Sequence, residues 1–399
     1  MSGIDAVHAG DEKENDPLMT SALDFHFLAL LLRNSIALAL LAVCACVSSG
    51  CTHVAAPVRQ YQGISTVASA IAWSRDGKLI AAAEAGVVHV WDAASGEQLA
   101  QTSGYLRHGF DYDPTGMDFA PDGRWLAFGG ADGVVYLWDW SSDEKRELHG
   151  QPRTLRICRF SPDGQLLATA SGGLVYPPSL ASTTAPVHRI PEHARPQIEP
   201  MTIIAFDVQA GGVRSRVDAS GMINIALSAD AQQFAGTKLN LPAQTKWPLH
   251  FNDPEMRSAS WAPVELRQTL TDELVRTFPA TGFPIVFSPD GKLWTGGQIW
   301  DTHTFQLVRE GRVGSTVFID GGRRILEWSS SAARWALPLG DVPPLKYHLV
   351  YVDLATGRRR NVGDFRGDGF AAALDNVYGY SPDSRWVVDR QLKLWRVPR

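Results

Sequence analysis

The chain has 399 residues and a formal net charge of −5, which leaves room for one large domain and excludes the strong basic field that nucleic-acid binding needs. Six acids and two bases lie in residues 1–50, so the rest is close to neutral. Of the four cysteines, Cys44, Cys46 and Cys51 crowd the N-terminal region and Cys158 stands alone. A disulfide framework is therefore excluded, and the lone thiol reads as packing.

The first element is a 12-residue apolar run, Ile36 to Val47, preceded by Arg33. It is short for a membrane span and suits the core of a signal peptide. Ser48-Ser49-Gly50 and Cys51 follow. This resembles a bacterial lipoprotein signal, although Ser48 stands where an aliphatic residue is usual. The resemblance implies lipidation of Cys51, export, and a periplasm-facing lipoprotein of the cell envelope. Met19 is the alternative initiator. The alternative targeting is an uncleaved anchor over Phe25 to Val47, holding a cytoplasm-facing scaffold at the inner membrane. On this reading 1–50 is a targeting segment, 51–56 a short linker and 57–399 the folded domain.

From residue 71 a phrase recurs: Ala72-Trp73-Ser74-Arg75-Asp76-Gly77, Asp118-Phe119-Ala120-Pro121-Asp122-Gly123, Arg159-Phe160-Ser161-Pro162-Asp163-Gly164, Val286-Phe287-Ser288-Pro289-Asp290-Gly291 and Gly379-Tyr380-Ser381-Pro382-Asp383-Ser384. Each reads as a strand, then a turn in which Pro presets φ and Gly accepts a positive one. An apolar strand ending in Trp91-Asp92, Trp138-Asp139 or Trp300-Asp301 follows, with degenerate forms at Phe206-Asp207, Val352-Asp353 and Trp395-Arg396. Weaker turns at Asp230 and Asp320 bring the copies to seven. Repeats of this period mean one supersecondary unit used several times. Ile71, Met117, Cys158, Ile225, Ile285 and Tyr378 share a register position and are expected in the core.

These phrases resemble the WD-repeat β-propeller family across nearly all of 57–399. The resemblance implies an all-β, seven-bladed propeller of four-stranded antiparallel blades. The family's Gly-His dipeptide is absent, so its polar network cannot be carried over. The last copy ends at a third strand, Leu392 to Val397. The missing fourth strand is expected to be Val58 to Gln62, clasping the ring with both chain ends.

Uneven spacing between the turns places insertions near 173–200, 239–273 and 329–346. Leu266, Leu270 and Leu274 match one face of a short helix over 262–276. All three insertions are expected to join second to third strands and so to share one face of the ring. They carry Tyr176, Ile190, Trp247, Phe251, Trp261 and Trp335, residues of the kind that anchor partners.

Asp92, Asp139 and Asp301 end third strands and are expected to stabilise turns, not to catalyse. His188, Glu192 and His193 lie in a Pro-punctuated loop without metal-ligand spacing, so no metal or cofactor is expected. Arg358-Arg359-Arg360 reads as a charged sheet edge. The functional reading is a monomeric, non-enzymatic scaffold for a protein partner, with no nucleic acid and membrane contact only through Cys51. The rival is a propeller enzyme, lactonase-like or quinoprotein-like. It needs a ring of catalytic groups in the central channel, and the first-strand starts at Thr154, Ile223, Pro284 and Ser315 do not supply one.

Overall fold

The computed structural model describes residues 57–65, 68–84, 86–103, 116–129, 133–153, 155–175, 197–240, 249–250, 260–279, 285–295, 298–310, 315–330, 346–366, 379–389 and 391–397. Seven antiparallel sheets follow one another along the chain. After β1 (Arg59–Gln60), blade 1 contains β2 (Ala70–Trp73), β3 (Leu79–Glu84), β4 (Val87–Asp92) and β5 (Gln98–Ser103). Blade 2 contains β6 (Met117–Phe119), β7 (Trp125–Gly129), β8 (Val135–Asp139) and β9 (Glu144–Leu148). Blade 3 is β10 (Leu155–Phe160), β11 (Leu166–Val175), β12 (Gln197–Asp207) and β13 (Val213–Ala219). Blade 4 starts with β14 (Met222–Leu227) and β15 (Gln233–Asn240). It continues through β16 (Leu249–His250) and β17 (Ser260–Trp261) to β18 (Val264–Gln268) and β19 (Leu274–Phe278). Blade 5 is β20 (Ile285–Phe287), β21 (Lys292–Thr295), β22 (Gln298–Asp301) and β23 (Leu307–Glu310). Blade 6 is β24 (Ser315–Ile319), β25 (Arg324–Ser330), β26 (Lys346–Asp353) and β27 (Arg359–Arg366). Blade 7 is β28 (Trp386–Val388) and β29 (Lys393–Arg396), with a Tyr380–Val387 bridge in place of a full first strand. The seven-bladed, all-β architecture is the one the repeats imply.

The helix expected over 262–276 does not form: β18 and β19 occupy that stretch. Val264 and Leu266 are fully buried, whereas Leu270 and Leu274 are exposed. The operative period is therefore two, and the third strand of blade 4 begins inside the range first assigned to the insertion.

The apolar side chains form one cluster at each of the seven blade interfaces. β3 shows why. Ile80 and Ala82 pack toward blade 7, while Ala81 and Ala83 pack toward blade 2. Both faces are buried, so the strand reads as a continuous apolar run instead of an alternating one. The fourth strands lie outermost, and the edge is charged, as in the exposed Glu144–Arg146 segment of β9. Such charges discourage pairing with other chains.

The ring closes where blade 7 meets blade 1. β1 pairs with β29 in the register Arg59↔Leu394 and Gln60↔Lys393. Val58 N donates to Leu394 O at 2.7 Å, and Tyr61 N to Leu392 O at 2.9 Å. Tyr61 is 1 % exposed, and its hydroxyl donates to Ala93 O. Burial pushes its phenol pKa up to about 12. The Trp91 indole donates to Gln62 O, and the Trp73 indole to Gly379 O on blade 7. Deleting residues 57–64 is expected to lower the melting temperature of the whole ring in one transition. Tyr61→Ala alone is expected to cost about 3–5 kcal/mol in urea unfolding, as for other buried aromatics. Unchanged midpoints in both variants would remove the clasp from this account.

Candidate interaction face

In an antiparallel meander the first-to-second and third-to-fourth turns lie on one face of the ring, and the second-to-third connections on the other. Residues 176–196 join β11 to β12, 241–263 join β15 to β18, and 331–345 join β25 to β26. All three long connections therefore rise from the same face. The β7–β8 ladder of blade 2 runs from Trp125↔Asp139 to Gly129↔Val135, whereas β11–β12 runs from Leu166↔Asp207 to Val175↔Gln197. The blade 3 hairpin thus stands about five residues taller, roughly 16 Å. A bulge after Ser171 bends it. Gly172 sits there at φ +89°, where a Cβ would lie 2.1 Å from Pro200 O.

The blade 4 connection crosses to its neighbour. β16 pairs with β12 through His250↔Gln197 and Leu249↔Ile198, adding a strand to blade 3. β17 returns to blade 4 through Leu239↔Trp261. The blade 4 connection is thereby tied by backbone pairing to the end of the raised blade 3 hairpin. Arg153 and Glu199 pair at 3.1 Å near its base. Beneath it, Gln151 Nε2 donates to Thr169 Oγ1 at 2.5 Å, Ser171 Oγ to Gln151 Oε1, and Thr169 Oγ1 to Ile204 O. This buried network ties the entry of blade 3 to its second and third strands without a Gly-His dipeptide.

The opposite face is fixed by carboxylates. Asp92 accepts from Ser95 N and Oγ, and Asp301 from His303 N and Thr304 N. Asp139 accepts from Ser141, Ser142 and the Arg124 guanidinium. For Asp92 and Asp301 backbone hydrogen bonds lead in holding the carboxyl below its usual range. For Asp139, hydrogen bonds from Ser141 and Arg124 outweigh burial. The first turns carry a second device: Ser74, Ser161, Ser228, Ser288 and Ser381 each donate Oγ to the Asp two residues on. A serine two residues before the turn Asp, present in five of the seven copies, was the available sequence signal for it.

Near the channel the structure assembles a charged group that sequence reasoning missed. Asp118 on β6 accepts from Phe160 N at 2.9 Å and faces Arg159 Nη1 at 3.4 Å. Arg75, from the first turn of blade 1, donates to Phe160 O and Ser161 O, linking blades 1 and 3. Burial pushes the Asp118 carboxyl up, against the pull of Arg159, Phe160 N and Arg75. The signal was a charged residue between two core positions, Met117 and Phe119. Cys158, also buried, is a free thiol that burial pushes up.

Of the residues singled out from sequence, Cys51, Tyr176, Ile190, Trp247, Phe251 and Trp335 lie outside the described residues, as do His188, Glu192 and His193. Trp261 is placed by its backbone in β17. Among the described residues no cluster of three or more His, Cys, Asp or Glu could hold a metal ion.

The repeat model described as WD domain, G-beta repeat matches residues 55–92, 103–139 and 143–176. Over those three stretches the chain is similar to that repeat. Among curated relatives, the nuclear distribution protein nudF of Emericella nidulans is 32 % identical over 116 residues, 27 % of this chain and 24 % of that protein. Eukaryotic translation initiation factor 3 subunit I of the same organism is 34 % identical over 95 residues, 24 % of this chain and 27 % of that protein. The chain thus spans about a quarter of the length of these relatives, both eukaryotic. A solved chain from the crystal structure of the mitotic checkpoint complex superposes with a TM-score of 0.53. It covers 86 % of this chain and 93 % of its own length at 16 % identity, a likeness of fold alone.

The raised Asp118 carboxyl gives a pH prediction. A carboxyl that holds its proton more tightly when folded adds stability below its unfolded pKa, and that gain is lost as pH rises through the folded value. Asp118→Asn keeps an acceptor for Phe160 N and removes the buried charge. It is expected to match or exceed the parent in stability at pH 7, with its relative advantage vanishing toward pH 4. Asp118→Ala orphans the amide and is expected to cost about 1–3 kcal/mol at pH 7. Denaturant unfolding of the three proteins across pH 4–8 checks the order.

Proposed function

We propose that this chain is a non-enzymatic scaffold that captures a protein partner on the face bearing the three long connections. The observation that carries the reading is the pairing of β16 with β12, which ties the blade 4 connection to the raised hairpin of blade 3. The other face uses its polar side chains internally, on turn caps and blade-to-blade bonds. Comparisons support the same class: one relative is named as a subunit of an initiation factor, and the structural neighbour is a chain of a checkpoint complex. Within this reading Tyr176, Ile190, Trp247, Phe251, Trp261 and Trp335 supply the anchors, since aromatic and large apolar residues dominate binding energy at protein interfaces. Replacing 176–196 or 241–259 by short Gly-Ser linkers is expected to abolish capture of the partner while leaving the thermal transition in place. Capture that survives both replacements would move the partner to another surface.

The finer part of the proposal is the address: export, and tethering through acyl chains on Cys51 in the manner of a bacterial lipoprotein. Two or more chains hold stably where one is marginal. Cys51→Ala is expected to leave a larger, unlipidated precursor in the membrane. Intact-mass analysis of the parent protein decides the matter, because an unmodified chain beginning at Met1 or Met19 replaces the lipoprotein with the signal anchor.

A further inference from the structure

The strap from Tyr61 to Ser65 lies against blade 1 beside a histidine that the fold leaves incompletely bonded. His89, in the middle of β4, is 3 % exposed and stacks on Trp91 with ring centroids 5.3 Å apart and planes 18° from parallel. Its Nδ1 is buried without a hydrogen-bond partner and lies 3.9 Å from where a Cβ on Gly63 would sit. The strap is held close by. Glu84, on the adjacent β3, accepts from Ser65 N at 2.9 Å and Ser65 Oγ at 2.7 Å, and Gln62 O accepts from the same Trp91 indole. An unpartnered buried nitrogen is costly, and here it lies under the segment that completes the ring.

We propose that His89 is an acid-operated latch: proton uptake by its ring opens the Tyr61–Ser65 strap and loosens the junction of the first and last blades. A buried cationic imidazole with no partner for Nδ1 is costly even when it is stacked on Trp91. It gains water, or the Glu84 carboxylate now spent on Ser65, only when the strap lifts. The charged or titratable groups facing it are few. Among the described residues the charged group that acts on it is Glu84, from β3. The β5 neighbours Gln98 and Gln101 are neutral. Burial holds His89 below the ordinary histidine value, against a smaller upward pull from Glu84. The sign follows: stability from the neutral ring is present above the unfolded pKa and is lost as pH falls below it. With an unfolded value of ~6.5, the open strap gains up to about tenfold in population between pH 7.5 and 5.5.

Hydrogen exchange of the full chain, corrected for intrinsic pH dependence, tests this on peptides covering 58–65, with the β14–β15 hairpin as control. A loss of strap protection at pH 5.5 of up to about tenfold, absent in His89→Phe, is the expected result, since Phe keeps the stack and cannot titrate. An equal loss in His89→Phe, or none in the parent, overturns the latch. Should His89→Phe not fold, Glu84→Gln decides. It retains an acceptor for Ser65 but removes the charge that favours the imidazolium, so opening should begin at lower pH. An onset that stays put or moves up overturns the proposal.

Discussion

Ring closure is the constraint on which the rest of this structure depends. Each sheet buries both faces against its neighbours, so a blade left at an open end would expose an entire apolar surface. Closure falls to β1 and β29, the two ends of the described chain, and to the cluster in which Tyr61, Trp91, Val388 and Leu394 meet. The demand is visible in composition. β3 is Leu-Ile-Ala-Ala-Ala-Glu, small enough for two sheets to approach it at once and apolar enough to face both. Local sequence thus serves an interface whose other half lies some 300 residues away.

The two faces of the ring obey different rules. On the turn face nearly every polar side chain has a local duty: Ser and Asp cap first turns, and the Asp of each Trp-Asp pair or its degenerate relative caps the turn to the fourth strand. In blade 7, where Arg396 replaces that Asp, the capped turn is instead the one between β28 and β29, where the buried Asp389 accepts from Gln391 N, Lys393 N and the Trp395 indole. Turn geometry is therefore set within five or six residues and leaves little freedom to vary. Second-to-third ladders vary more, from three pairs in blade 7 to the long hairpin of blade 3. Variation accumulates where the fold does not forbid it, and this is why the elaborated face is the one read as the binding face.

What the sequence made legible follows the same division. The Ser-Pro-Asp-Gly and Trp-Asp phrases are local, so the blade count and the missing fourth strand at Val58 to Gln62 could be read directly. The helix assigned to 262–276 failed because Leu266, Leu270 and Leu274 fit a spacing of four as well as a strand–turn–strand. Burial of Val264 and Leu266, with Leu274 out on an edge strand, separates the two. Asp118 and His89 were illegible for another reason. Their environments come from Phe160 and Arg159 on the next blade, and from a strap some 25 residues upstream, so neither forms a motif in the linear chain. The candidate anchors other than Trp261 lie outside the described residues, and the reading of them rests on where their connections begin and end.

The pairing of β16 with β12 changes how the elaborated face should respond to substitution. Main-chain bonds tolerate many side chains at Leu249 and His250, provided neither becomes proline, which cannot donate to a ladder. Chain length is less forgiving. Residues 241–248 must carry the chain from the end of β15 on blade 4 to a strand on blade 3, and a shortened crossing pulls β16 out of register, turning its side chains to the other side of the sheet. The blade 4 connection and the blade 3 hairpin therefore behave as one unit although about 65 residues separate the ends of β11 and β15. A change in the length of the blade 4 connection is felt at the tip of blade 3, where Gln197 and Ile198 lose their added strand, before it is felt in the propeller beneath.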